Sequence, residues 1–159
     1  MYRVVKWGGL IAAAVALAAV AAMTSGCAST ALGEDPLLVR TEQGIKAGLE
    51  IADTFLRIED AHAEELARVA PWAGSIAQQI RVNGPGLCRT AWAAVESYSA
   101  ATDALEAARA AADATDLAAA ENRRAERREA MLIAAEKFGA LVEQARVAIS
   151  AWAGKGGGS

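Results

Sequence analysis

Histidine is nearly missing from this chain, which has one, His62, in 159 residues, and cysteine and proline are scarce, with two and three. That scarcity excludes whole classes of chemistry. Glu59 and His62 make one Glu-x-x-His, the spacing by which di-iron helical bundles present their ligands. The design takes a second copy and two further glutamates on facing helices, and no second copy exists. His62, set among Glu59, Asp60, Glu64 and Glu65, therefore reads as a solvated histidine. There is no Cys-x-x-Cys, no Gly-x-Ser-x-Gly, no P-loop and no dinucleotide fingerprint, so nothing cradles a phosphate or activates a nucleophile. The expectation is a protein that is not an enzyme and takes neither cofactor nor metal.

Long hydrophobic runs are also scarce. One exists, Trp7 to Met23, and it follows the two basic residues Arg3 and Lys6. A spanning helix takes roughly 20 predominantly apolar residues, and this Ala-rich stretch falls short, which suits the h-region of a cleaved signal. Ser25 and Gly26 follow, then Cys27. Ser25-Gly26-Cys27 resembles the end of the bacterial lipoprotein signal, the lipobox, although Thr24 stands where that family has an aliphatic residue. The resemblance covers residues 1–27 and implies cleavage before Cys27, with fatty acylation (palmitate-type chains) of its thiol and of the new N-terminus. Ala28, in place of Asp, resembles lipoproteins forwarded to the outer membrane. The competing readings are ordinary cleavage after Ala31, at Ser29-Thr30-Ala31, or an uncleaved anchor. Two or more acyl chains anchor stably where one does not, at about 0.8 kcal/mol per buried CH₂.

Loss of residues 1–26 removes Arg3 and Lys6 and leaves 14 basic residues against 19 acidic, a formal charge of about −5. Such a balance disfavours nucleic acid and anionic head groups as general partners. With Cys27 acylated, Cys88 is left without an intramolecular disulfide partner. It falls on an apolar stripe and reads as a small buried hydrophobe, with an intermolecular disulfide as the alternative.

The rest of the chain is helical in pattern. Residues 27–35 form a lipidated tether, 36–153 a helical domain and 154–159 a flexible Gly-rich tail. Asp35-Pro36 starts a helix, as N-cap and first-turn proline. Leu38, Ile45, Leu49, Ala52, Leu56, Ala63, Leu66 and Ala70 then recur at helical spacing to about residue 69. Pro71 breaks that helix, and a short second one, 71–83, is expected to bury Trp72, Ile76 and Ile80. Asn83-Gly84-Pro85-Gly86 reads as a turn. A third helix, 86–112, carries Cys88, Ala91, Val95, Tyr98, Thr102, Leu105 and Ala108. Residues 113–116 read as a turn before a last helix, 116–152, on which Met131, Ala135, Phe138, Val142, Ala145, Ile149 and Trp152 alternate steps of four and three. That 3.5-residue repeat is the coiled-coil period. The fold expected is all-α, a three- or four-helix up-down bundle with coiled-coil-like packing.

The densest charge cluster is "ENRRAERRE", residues 121–129. Arg123, Arg124, Arg127 and Arg128 share a helix face there and form a candidate docking patch, for the acidic face of the first helix, for a second copy or for an anionic envelope polymer. The bland reading is a solvated face laced with ion pairs worth a few tenths of a kcal/mol each. Gly44-x-x-x-Gly48 marks close packing by a neighbouring helix. Together these features point to a non-enzymatic lipoprotein scaffold or adaptor, anchored by lipid at the outer membrane, facing the periplasm and binding an envelope protein or itself. The alternatives are an envelope lipoprotein of phage or prophage origin, in exclusion or lysis, and a small-ligand-binding bundle whose polar hints are Tyr98, Gln78 and Gln79.

Overall fold

The computed structural model describes residues 35–111 and 114–156. The expected signal segment, Cys27, residues 28–34 of the expected tether and the last three residues lie outside them. The described chain folds into three helices, α1 (Pro36–Val69), α2 (Ala73–Ala111) and α3 (Ala114–Gly156), which all pack against one another in up-down order. The fold is an all-α bundle of three helices.

Local chemistry sets the first boundaries. Asp35 takes extended backbone angles (φ −65°, ψ 116°), and its Oδ1 accepts the Leu37 N–H at 2.9 Å. Pro36 occupies the first turn, where its missing N–H costs nothing. At the other end the Ala70 N–H bonds to the Leu66 carbonyl and Pro71 stops propagation. Only Ala70, Pro71 and Trp72 separate α1 from α2, and the Ile76 N–H bonds to the Trp72 carbonyl at 3.1 Å to open the next helix.

The expected turn at residues 83–86 is not there. Helix α2 runs straight through it, with Pro85 inside the helix. Proline in that position forfeits the bond to the Arg81 carbonyl and costs about 3 kcal/mol. Two features offset this. Proline normally drives the residue before it out of the helical region through a clash with that residue's Cβ, and Gly84 has none. The helix also carries one continuous buried row, Ile76, Ile80, Gly84, Ala91, Val95 and Tyr98, which a turn would cut in two. The separate helices expected over 71–83 and 86–112 are therefore one. The last helix, expected to end at 152, continues through Lys155 into the proposed tail.

Two apolar clusters fill the interior. Ala52, Phe55 and Leu66 of α1 meet Ile76 and Ile80 of α2 and Leu141, Ala145 and Ala148 of α3 in the first. Ile45, Ala91, Val95, Tyr98, Met131, Phe138 and Val142 form the second. The stripe expected on α1 is in the core at Ile45, Ala52, Leu66 and Ala70, half-buried at Leu38 and Leu56, and misses at Leu49 and Ala63. Ile45, Gly48, Ala52 and Phe55 are buried, while Leu49 is 41% exposed and Ala63 lies outside. A Cβ at Gly48 would stand 2.7 Å from Phe138 Cε1 and 3.3 Å from Val142 Cγ2. The bare backbone lets α3 close in, and the buried face of α1 centres on that contact. Gly44 has open space around it and takes no part. Trp72, expected to be buried, is 47% exposed.

Candidate functional site

The N-terminal end of α1 is where any tether from residue 27 joins the bundle, and the described residues concentrate their polar chemistry there. Three elements converge. Besides capping Leu37, Asp35 accepts through Oδ2 a hydrogen bond from the Tyr98 hydroxyl of α2 and one from Arg124 Nη2 of α3 at 2.7 Å. Arg124 Nη2 also donates to the Tyr98 oxygen at 2.9 Å, and its Nε lies 3.3 Å from Thr102 Oγ1. The guanidinium carbon stands 5.4 Å from the centroid of the Tyr98 ring. Thr102 in turn donates to the Tyr98 carbonyl at 3.1 Å.

The electrostatics follow from that geometry. The Tyr98 hydroxyl, foremost, holds the Asp35 carboxyl below its ordinary range; partial burial opposes it, and the Leu37 N–H and Arg124 add to it. Burial pushes the Tyr98 phenol up, and the bond it donates to Asp35 adds to that. Asp35 thus stays charged and Tyr98 neutral, the pairing in which a phenol donates and a carboxylate accepts. Beside the cluster lies an open groove of about 410 Å³, lined by Asp35, Pro36, Thr102, Leu105, Glu106, Arg109 and Arg124. Its lining comes from the start of α1 and from the stretches of α2 and α3 beside it.

The four arginines of the expected patch separate. Arg124 is half-buried and committed to Asp35, Tyr98 and Thr102. Its partner on α1 is the capping residue, not the acidic face. Arg123, Arg127 and Arg128 remain exposed. Arg123 donates to the carbonyl of Ala119 at 3.3 Å, and Arg123 and Arg127 rim a shallow depression floored by Ser97, Ala100, Ala101, Ala104 and Ala120. Tyr98 and Asp35 complete the site; sequence reading placed the first as core and the second as cap. Their signal was a buried tyrosine, whose hydroxyl needs a partner.

The remaining candidates are scattered. Cys88 is half-buried against the second cluster, with a free thiol, where full burial was expected. Gln78 and Gln79 are exposed and far in sequence from the groove. His62 is exposed, as expected. It has non-helical angles (φ −137°, ψ 33°) that kink α1, packs with its ring tilted 37° and centred 5.2 Å from that of Trp152, and lies 3.6 Å from Glu65. Among the described residues, no group of three His, Cys, Asp or Glu side chains is placed to hold a metal ion, and no helix is long and apolar enough to cross a membrane. No family model, curated protein or solved structure matches the chain.

Proposed function

We propose that the protein is a lipid-anchored, non-enzymatic helical scaffold of the bacterial envelope, held through Cys27 at the outer membrane and facing the periplasm. The observation that carries this reading is the pairing of a lipobox-like Ser25-Gly26-Cys27 with a bundle whose first helix is pinned at its starting residue. The bond network on Asp35 ties the point where the tether enters to both other helices, so a pull on the tether loads the whole bundle and does not fray one helix end.

Chain lengths support the same arrangement. The eight residues from Cys27 to Asp35 reach at most about 28 Å. Beyond Tyr98, which bonds to Asp35, α2 runs on to Ala111, about 20 Å at 1.5 Å per residue. An upright bundle therefore holds the α2–α3 end within about 10 Å of the lipid surface, from the same reach and rise. The exposed arginines Arg123, Arg127 and Arg128 are the surface offered to an acidic envelope partner.

The test is the intact mass of the mature protein and the incorporation of an alkyne-tagged fatty acid in cells. Acyl mass on a chain starting at Cys27, lost together with membrane association in Cys27→Ser, is the expected result. A mature chain that starts elsewhere without acyl mass sinks the reading.

A further inference from the structure

Helix α3 has a second apolar line, on the side turned away from both other helices. At about 100° per residue, Ile133, Ala140 and Val147 stand opposite the buried Met131, Phe138 and Ala145. Ile133 is 44% exposed, Val147 46%, and Ala140 is exposed too. They recur every seven residues, the spacing that keeps a seam facing a partner helix. Glu136 and Glu143 flank the line on one side, Lys137 and Gln144 on the other, and all four are exposed.

We infer that this face pairs with the same face of a second copy of the chain, parallel and in register about a two-fold axis running along α3. The charges choose the orientation. A parallel two-fold sets each flank against the opposite flank, so Lys137 faces Glu136 of the second copy, and Gln144 faces Glu143, each twice. An antiparallel two-fold sets each flank against itself, so Lys137 faces Gln144 and gains no carboxylate, while Glu136 faces Glu143, which Arg146 of its own chain already holds at 2.6 Å. Within one chain Glu136 and Lys137 are sequence neighbours that cannot face each other on a helix, and neither makes an ion pair among the described residues.

Ala140 in the centre lets the two backbones approach, and Ile133 and Val147 meet their own images on either side. Glu126, which is exposed, lies on the same line seven residues before Ile133, so like charges end the seam there and confine it to the C-terminal half of α3. The contact is short, and confinement of both copies to one surface raises their effective concentration. The pairing goes beyond the scaffold reading and stands without the anchor.

Cysteine crosslinking of the full chain in cells tests it. In a Cys88→Ala background, Ile133→Cys is expected to give a disulfide-linked dimer on mild oxidation, as is Val147→Cys. Co-expressed Ile133→Cys and Val147→Cys chains, distinguished by tags, are expected to link like with like, since only an antiparallel pair brings 133 to 147. The Cys88→Ala chain alone is the baseline. A dimer there reports a free Cys27 thiol, so failure of the anchor is read separately from failure of the pairing. Lys137→Glu should cut the Ile133→Cys dimer several-fold, and Lys137→Glu with Glu136→Lys should restore it. Every changed side chain but the half-buried Cys88 is exposed, and helix content by circular dichroism checks that the bundle persists. No dimer above baseline, a 133–147 link, or indifference to charge reversal overturns the proposal.

Discussion

Replacing Asp35 with Ala removes three things, and their sizes can be separated. The first is the helix cap: Oδ1 accepts the Leu37 N–H, and losing such a cap costs about 1 kcal/mol. The second is the partner of a buried phenol. Tyr98 is 1% exposed, and a buried hydroxyl left without its acceptor costs about 1–3 kcal/mol. The Arg124 ion pair adds little, at most about 1 kcal/mol, because water reaches the guanidinium. The expected loss is therefore about 2–5 kcal/mol, or a fall in Tm on the order of 10 °C for a body of this size. Asp35→Asn keeps a good cap residue and loses only the charge, so it should fall between wild type and Ala. Urea unfolding of the full chain in detergent, followed by circular dichroism, measures both. The pH dependence has a definite sign. The folded carboxyl lies below its unfolded value, so its contribution is present above the ordinary carboxylate pKa near 3.9. It is lost as pH falls through the folded value. Wild type should lose stability over that acid range more steeply than Asp35→Asn. An Asp35→Ala chain within about 0.5 kcal/mol of wild type, the range of an ordinary surface change, would refute the reasoning.

Five other substitutions probe the packing by the same unfolding measurement. Gly48→Ala drives a methyl into Phe138 Cε1 and should destabilise by about 1–3 kcal/mol, whereas Gly44→Ala, with open space around it, should stabilise by up to about 1 kcal/mol. Pro85→Ala should stabilise by up to about 3 kcal/mol if α2 is continuous there; a neutral or destabilising result would restore the turn. Phe55→Ala, at a fully buried site, should cost about 3–5 kcal/mol, and Leu49→Ala should cost far less; equal losses would show that the buried face of α1 has been placed wrongly.

The all-helical class was legible because every long segment repeats its apolar residues at three and four. On α3 the expected seam lies on the buried side, with Met131, Phe138, Val142 and Ala145 in the core and Ala135, Ile149 and Trp152 half-buried. The start of α1 was legible for the same local reason, since cap and first-turn proline act within a few residues. Failures came where a tertiary contact outweighed local preference. Asn83-Gly84-Pro85-Gly86 carries strong turn chemistry, yet the buried row on both sides of it holds α2 together. On α1 the stripe omitted Phe55 and Gly48, and Gly48, which contributes nothing to an apolar count, marks a close approach of α3.

The polar cluster was harder to foresee, for a physical reason. Its members lie at residues 35, 98, 102 and 124, one or two on each helix, and no spacing within a single segment links them. Each had a sufficient local explanation: cap, core ring, stripe position, charged face. Only antiparallel stacking of α2 against α1 and α3 brings the aspartate, the phenol and the guanidinium to one level. The same stacking decides which arginine is lost to the surface. Arg124 turns inward and supports the fold, while Arg123, Arg127 and Arg128 stay outside. Charge reversal of those three should therefore weaken a captured acidic partner and leave unfolding nearly unchanged. Arg124→Glu, which sets a second carboxylate beside Asp35, should weaken the fold itself. Co-purification and urea unfolding on the same two variants separate these roles, and equal effects of both variants in both assays would remove the distinction.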